Sequence, residues 1–187
     1  MTTIAPDTQT AQATYPGELI LDHNEIIKLL PVFKPECVFI RRARIQDRTL
    51  HCSFSTFEYP FSVQSIKHLT REHALVFVTQ ACYLLSALLS RIDNQWPIDT
   101  ATTLALAVNE QMLFSDIHLH FVCLIPNRDG IDLQLTLADF RIIRERIFAK
   151  LEFKFPEGCF GHCQAVIALD SSFELSTRLT KVNAPIK

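Results

Sequence analysis

The chain has 187 residues, 48% of them hydrophobic and 20% charged, so it has enough apolar residues for a sizeable core, and global disorder is excluded. Its length fits one domain, or one domain with tails. Lys and Arg number 18 against 20 Asp and Glu, a formal net charge of −2, which leaves no bulk basic field and argues against a dedicated nucleic-acid binder.

Residues 1–17 are rich in Thr, Gln, Ala and Pro without periodicity and read as a loose tail. They carry neither a basic nor an apolar leader segment, so a cytoplasmic protein with reduced, buried thiols is expected from the six cysteines. Asp22 is placed to cap a short helix over Glu25–Leu30 that Pro31 ends. Residues 37–45 and 49–57 read as two strands joined by a turn at Gln46-Asp47-Arg48. Thr70 is placed as the N-cap of an apolar helix over 71–90, with Arg91 at its negative end. The apolar run Ala74–Leu89 would span about 24 Å, short of the ~30 Å of a bilayer core, and predicts a buried central helix rather than a membrane span.

Residues 101–112 have helical composition. From Phe114 the period becomes two, with Ile117, Leu119, Phe121, Cys123 and Ile125 on one face and Asp116, His118 and His120 on the other. Asn127–Gly130 is a turn, 131–138 a strand, and 141–155 a longer strand with Ile147, Ala149, Leu151, Phe153 and Phe155 on one face and Phe148, Lys150, Glu152 and Lys154 on the other. Pro156-Glu157-Gly158 breaks the pattern, and a last strand covers 162–169. A domain over 18–172 and a polar C-terminal tail over 173–187 follow. One helix apolar all round needs a sheet wrapped about it. The expected class is therefore α+β, in the hot-dog arrangement, a curved antiparallel sheet around a central helix, with a generic α+β sandwich of the same elements in another order as the alternative.

The segment Ser65–Tyr83, SIKHLTREHALVFVTQACY, resembles the FcoT-like hot-dog family of fatty acyl thioester enzymes. The resemblance rests on His68 before the helix, the pair Thr79-Gln80 and the aromatic Tyr83, with a second match at Trp96-Pro-Ile-Asp99 and a third in the long strands up to residue 169. It covers roughly residues 20–170. It implies action on long-chain acyl thioesters of CoA or acyl carrier protein, by hydrolysis or by coupled addition of an amine such as glycine to an enoyl thioester. It also implies pairing into homodimers or larger assemblies. The chain departs from the family pattern in three places. Phe61-Ser62, with Tyr59 nearby, stands where the family has a polar Tyr, Thr70 where it has Asn, and His73, beside Glu72, where it has a helix carboxylate.

The chemistry follows from the helix end. Free N–H groups and the positive dipole end would face a developing oxyanion, and His68, Glu72 and His73 supply candidate bases. Gln80 would orient water or the thioester, with Thr70, Thr79, Tyr83 and Tyr59 lining the substrate; the alternative for Gln80 is an amide packed against strand backbone. Fourteen Phe residues suggest a long acyl tunnel. Residues 73–90 contain no carboxylate to work opposite a loop His, which disfavours a standard dehydratase. A non-catalytic acyl-binding or carrier-docking protein is the rival reading. His118 and His120, and the Cys159, His162, Cys163 group, lack the partner spacing of a zinc module, so no metal is expected. With four Gly in the chain and no GxGxxG or GxxxxGKS, no nucleotide cofactor is expected either. Arg41, Arg42 and Arg44 on one strand, with Arg141, Arg144, Arg146 and Lys150 on another, would form a basic rim for CoA phosphates or an acidic carrier.

Overall fold

The computed structural model describes residues 18–58 and 66–169. Tyr59 and both expected tails lie outside the described residues.

The order is β1 (Glu18–Asp22), α1 (His23–Leu29), a 3-10 turn (Pro35–Cys37), β2 (Ile40–Gln46), β3 (Thr49–Phe54), α2 (Arg71–Ile92), α3 (Thr100–Val108), β4 (Met112–Phe121), β5 (Ile131–Ile143), β6 (Arg146–Phe155) and β7 (Cys159–Ala168). The seven strands form one antiparallel sheet in the order β1-β2-β3-β5-β6-β7-β4. The connection from β3 through α2 to β4 carries the chain to the far side of the sheet. α2 therefore crosses the inner face, and the sheet curves round it. This is the hot-dog arrangement expected from the single long apolar helix.

Local chemistry sets the ends of the helices. The Asp22 carboxylate accepts from the N–H of Glu25, whose carboxylate returns to the Asp22 N–H, both at 2.9 Å. In α2, Thr70 plays the first role and His73 the second. Asp99 caps α3, accepting from the Thr102 N–H at 2.7 Å. α2 runs 22 residues, about 33 Å, two residues beyond the expected end. It is the one described helix long and apolar enough to cross a membrane, yet 61% of its apolar window is buried. Phe77, Ala81, Leu84, Leu85 and Leu88 on α2 are fully buried in one core with Ile45, Leu50, Phe54, Leu135, Ile147 and Ile167 from the sheet.

The strands depart from the sequence reading at their ends. β1 was not expected; it forms by pairing with β2 over Glu18–Asp22. The expected strand over 141–155 is divided between β5 and β6 by a turn at Arg144-Glu145, both at positive φ (45° and 59°) with no Gly or Asn to announce it. β3 ends at Phe54, three residues early. β4 ends at Phe121, which leaves Cys123 exposed instead of inward. Cys37 is also exposed, while Cys52, Cys82, Cys159 and Cys163 are buried and all six are free.

A bulge at Asp116 (φ 50°) shifts the β4 register against β7 between Ser115 and His118. It brings the His118 carbonyl so close to Gly161 that a Cβ there would overlap it, and would also meet the Phe153 ring at 2.6 Å. Gly161→Ala is therefore expected to cost about 2 kcal/mol by overpacking, measured as a lowered urea midpoint. Stability equal to the wild type would contradict this approach of β7 to β4.

Candidate functional site at the N-terminal end of the central helix

The segment before α2 is fixed to the loop after β4. The Leu69 N–H donates to the Ile125 carbonyl at 2.7 Å, and the Asn127 N–H to the Lys67 carbonyl at 3.1 Å. His68, between them, is exposed and its ring makes no hydrogen bond among the described residues. Thr70 follows as the cap, and Glu72 stands exposed in the first turn. The hydrogen bond from its own backbone N–H holds the Glu72 carboxyl below the ordinary glutamate value, with smaller help from the Arg71 charge. It is ionised at neutral pH.

His73 is fully buried. Its Nδ1 accepts from the Thr70 backbone N–H at 3.3 Å and lies 2.8 Å from the Thr70 hydroxyl, while Nε2 is 3.1 Å from the Phe57 carbonyl. A backbone N–H only donates and a carbonyl only accepts. These partners therefore fix the neutral tautomer with the proton on Nε2. The ring also packs against Phe57, which stacks on Phe39 at 4.3 Å. In this geometry His73 is a capping group, its two nitrogens committed. The sequence signal was available: His73 is the third helical position after a Thr cap, where Glu or Gln usually closes the box.

Most of the N–H donors at this end are engaged. Ala74 donates to the Thr70 carbonyl and His73 to the Thr70 hydroxyl, and the Glu72 N–H faces its own carboxylate. The Arg71 N–H remains without a partner among the described residues.

Gln80 is fully buried two turns along. Its Oε1 accepts from the Phe39 N–H at 3.0 Å, and its Nε2 donates to the Cys37 carbonyl at 2.6 Å. The amide fastens α2 to the segment from the end of the 3-10 turn to β2, backbone just ahead of the strand rather than within it. Thr79 and Tyr83 lie half-buried on another face with Leu75 and Val76, four positions that form one strip leading away from Glu72. Tyr83 meets Phe33 and Phe114 edge-on at 5.8 and 4.8 Å, and burial, with the neighbouring Cys82 and Glu110, holds its phenol above its ordinary value as a proton donor. Leu75 and Val76 escaped the sequence reading because the run is apolar on every face; only the polar Thr79 marks the strip.

Of the second matched segment, Trp96 is buried edge-on to Phe140 at 5.3 Å, and Asp99 caps α3. Both positions serve the fold. Burial pushes the Cys159 thiol up to about 11 and Cys52 higher still, which makes these two poor nucleophiles.

A further depression lies elsewhere. A groove of about 880 Å³ lies on the outer face of the sheet, lined by His118, His120, His162, Lys150 and Lys154 among others. The sheet separates it from α2.

No protein-family model matches the chain, and no curated protein matches it by sequence. Solved structures similar to it include a thioesterase from Haemophilus influenzae, 10% identical over 82% of this chain and 96% of that one, TM-score 0.47. A hypothetical thioesterase with coenzyme A from Streptococcus pneumoniae is 8% identical over 68% and 84%, TM-score 0.42. A Helicobacter felis protein is 11% identical over 80% and 92%, TM-score 0.43.

Proposed function

We propose that the chain is an acyl thioester hydrolase whose chemistry lies at the N-terminal end of α2. The observation that carries this reading is an ionised, exposed carboxylate, Glu72, at the head of a half-buried apolar strip through Leu75, Val76, Thr79 and Tyr83. From Glu72 to Tyr83 the strip is about 16 Å long. Glu72 takes a proton from water, which attacks the thioester carbonyl. The Arg71 N–H and the positive helix end stabilise the oxyanion, and His68 hydrogen-bonds the departing sulfur. The acyl chain lies along the strip. The acyl chain thus follows a surface track rather than a tunnel among the Phe residues, of which Phe39, Phe54, Phe57 and Phe77 pack on one another.

A strip open on its outer side asks for a cover, and β4 and β1 leave the sheet two edges without a neighbouring strand among the described residues. A second copy of the chain supplies the cover, so the functional unit is a homodimer or a multiple of it. Light scattering at micromolar concentration is expected to give at least twice the 21.4 kDa chain mass; a strictly monomeric mass would contradict the covered strip.

The resemblance to the FcoT-like family refines this to fatty or polyketide acyl groups on CoA or acyl carrier protein, in the cytoplasm. Addition of an amine to an enoyl thioester would precede release. Mass spectrometry of the products from a medium-chain enoyl-CoA, with and without glycine, separates the readings. Free enoic acid in both reactions supports plain hydrolysis, and a glycine adduct supports coupled addition. Unchanged thioester in both would favour the rival reading, an acyl-binding protein without catalysis.

A further inference from the structure

We propose that the outer face of the sheet binds a nucleoside phosphate, with its ring on Phe160 and its phosphates along the cations that follow. Strand register sets up one continuous row across six strands: His120 opposite Phe160, Phe160 opposite Lys154, then Gln134, His51 and Arg44 in turn. At about 4.8 Å per strand the row is roughly 24 Å long. Its residues line two adjoining depressions, of about 880 and 380 Å³, that share Gln134.

The chemistry changes along the row. At the β4 end Phe160 is 51% exposed, with the His120 ring 5.0 Å from it, an aromatic surface open for a base to stack on. Next comes the Lys154 ammonium, which makes no ion pair among the described residues. Beyond it stand His51 and Arg44. His51 titrates below its ordinary value, first through burial and then through the positive charges of Arg44 and Lys154.

The linings of the two depressions carry four cations, Arg42, Arg44, Lys150 and Lys154, against the carboxylates Glu152 and Asp132. The chain as a whole carries −2. Lys150 is paired with Glu152 and Arg44 with Glu18, each at 3.4 Å, which leaves Arg42 and Lys154 as the lining cations without an ion pair among the described residues. Ammonium and guanidinium donors in line suit phosphate oxygens. They disfavour a metal ion at the stacked pair His118–His162, where no three ligating groups converge among the described residues. The volume is that of a small-molecule site.

The face is also separate from the thioester site. Leu151, Phe153 and Cys163, alternating with the row on β6 and β7, point inward and are buried.

Calorimetric titration of the full chain with ADP, inorganic pyrophosphate and adenosine tests the proposal. ADP is expected to bind at least tenfold more tightly than either fragment. Lys154→Glu should weaken ADP at least tenfold, and Phe160→Ala should weaken ADP at least fivefold while changing pyrophosphate less than twofold. Glu152→Gln should tighten ADP. Thioester turnover by Lys154→Glu should stay within twofold of the wild type, which keeps this site distinct from the helix end. Far-UV circular dichroism checks that each variant is folded. No ADP binding at millimolar concentration, or ADP affinity unmoved by Lys154→Glu and Phe160→Ala in folded protein, would overturn the proposal. Pyrophosphate as tight as ADP would also overturn it, by removing the ring contact.

Discussion

Glu72→Gln is expected to lower thiol release from an acyl-CoA by about 100-fold or more, the range for loss of a general base, in a protein that still folds. The amide keeps the size of the side chain but cannot take a proton from water. Glu72 is exposed, so the substitution disturbs little else. His68→Ala should also lower the rate, by about tenfold to 100-fold, by removing the hydrogen bond to the departing sulfur. The pH profile separates their roles. The Glu72 carboxyl titrates below 4.5, because the hydrogen bond from its own N–H favours the charged form. It loses base activity only as pH falls through that lowered value, so the acid limb of kcat/KM should lie below 4.5 and the rate should be flat through neutrality. An imidazole base gives a limb near about 6.5 instead. A limb there that disappears in His68→Ala would move the base to His68. Full activity in a folded Glu72→Gln protein would remove Glu72 from the chemistry. The same sign holds for stability: whatever the ionised carboxylate contributes is present above 4.5 and is lost as pH falls through the lowered value.

Gln80→Leu is expected to destabilise the protein by about 3 kcal/mol. Leucine has a similar size and suits the buried site, yet it leaves the Phe39 N–H and the Cys37 carbonyl without their partner, at about 1–3 kcal/mol for each such group. Gln80→Glu should be no better. It keeps an acceptor for Phe39 but sets a carboxylate against the Cys37 carbonyl in a buried site. Urea denaturation measures both. At a temperature well below the melting point, turnover by Gln80→Leu should remain within a few-fold of the wild type. A 100-fold loss of rate at unchanged stability would show that Gln80 acts on the substrate and not as the fastening of α2 to the segment before β2.

The helix and its cap were legible because they are local: Thr70, the apolar run and Arg91 lie within 22 residues and need no partner to be recognised. The two faces of β6 were legible for the same reason, as strict alternation in one segment. β1 was not, because five residues of ELILD become a strand only through pairing with β2. The turn at Arg144-Glu145 was missed because its two positive φ angles fall on residues that give no turn signal. At the site, the sequence brought His68, Thr70, Glu72 and His73 to one helix end but could not tell which side chains were exposed. Burial of His73 follows from the path of residue Phe57 over the helix end, a tertiary contact. The outer groove was invisible for a similar reason. Its row of rings and cations exists only through the registers of six strands.

The most direct measurement is thiol release by the wild-type protein from a series of acyl-CoAs, from acetyl to long chain. A strip about 16 Å long leading from Glu72 to Tyr83 predicts that kcat/KM rises from acetyl to medium and longer chains, as each added methylene finds apolar surface worth up to about 0.8 kcal/mol. Release that is absent across the whole series, or greatest with acetyl-CoA, would contradict an acyl thioester hydrolase built on the end of this helix.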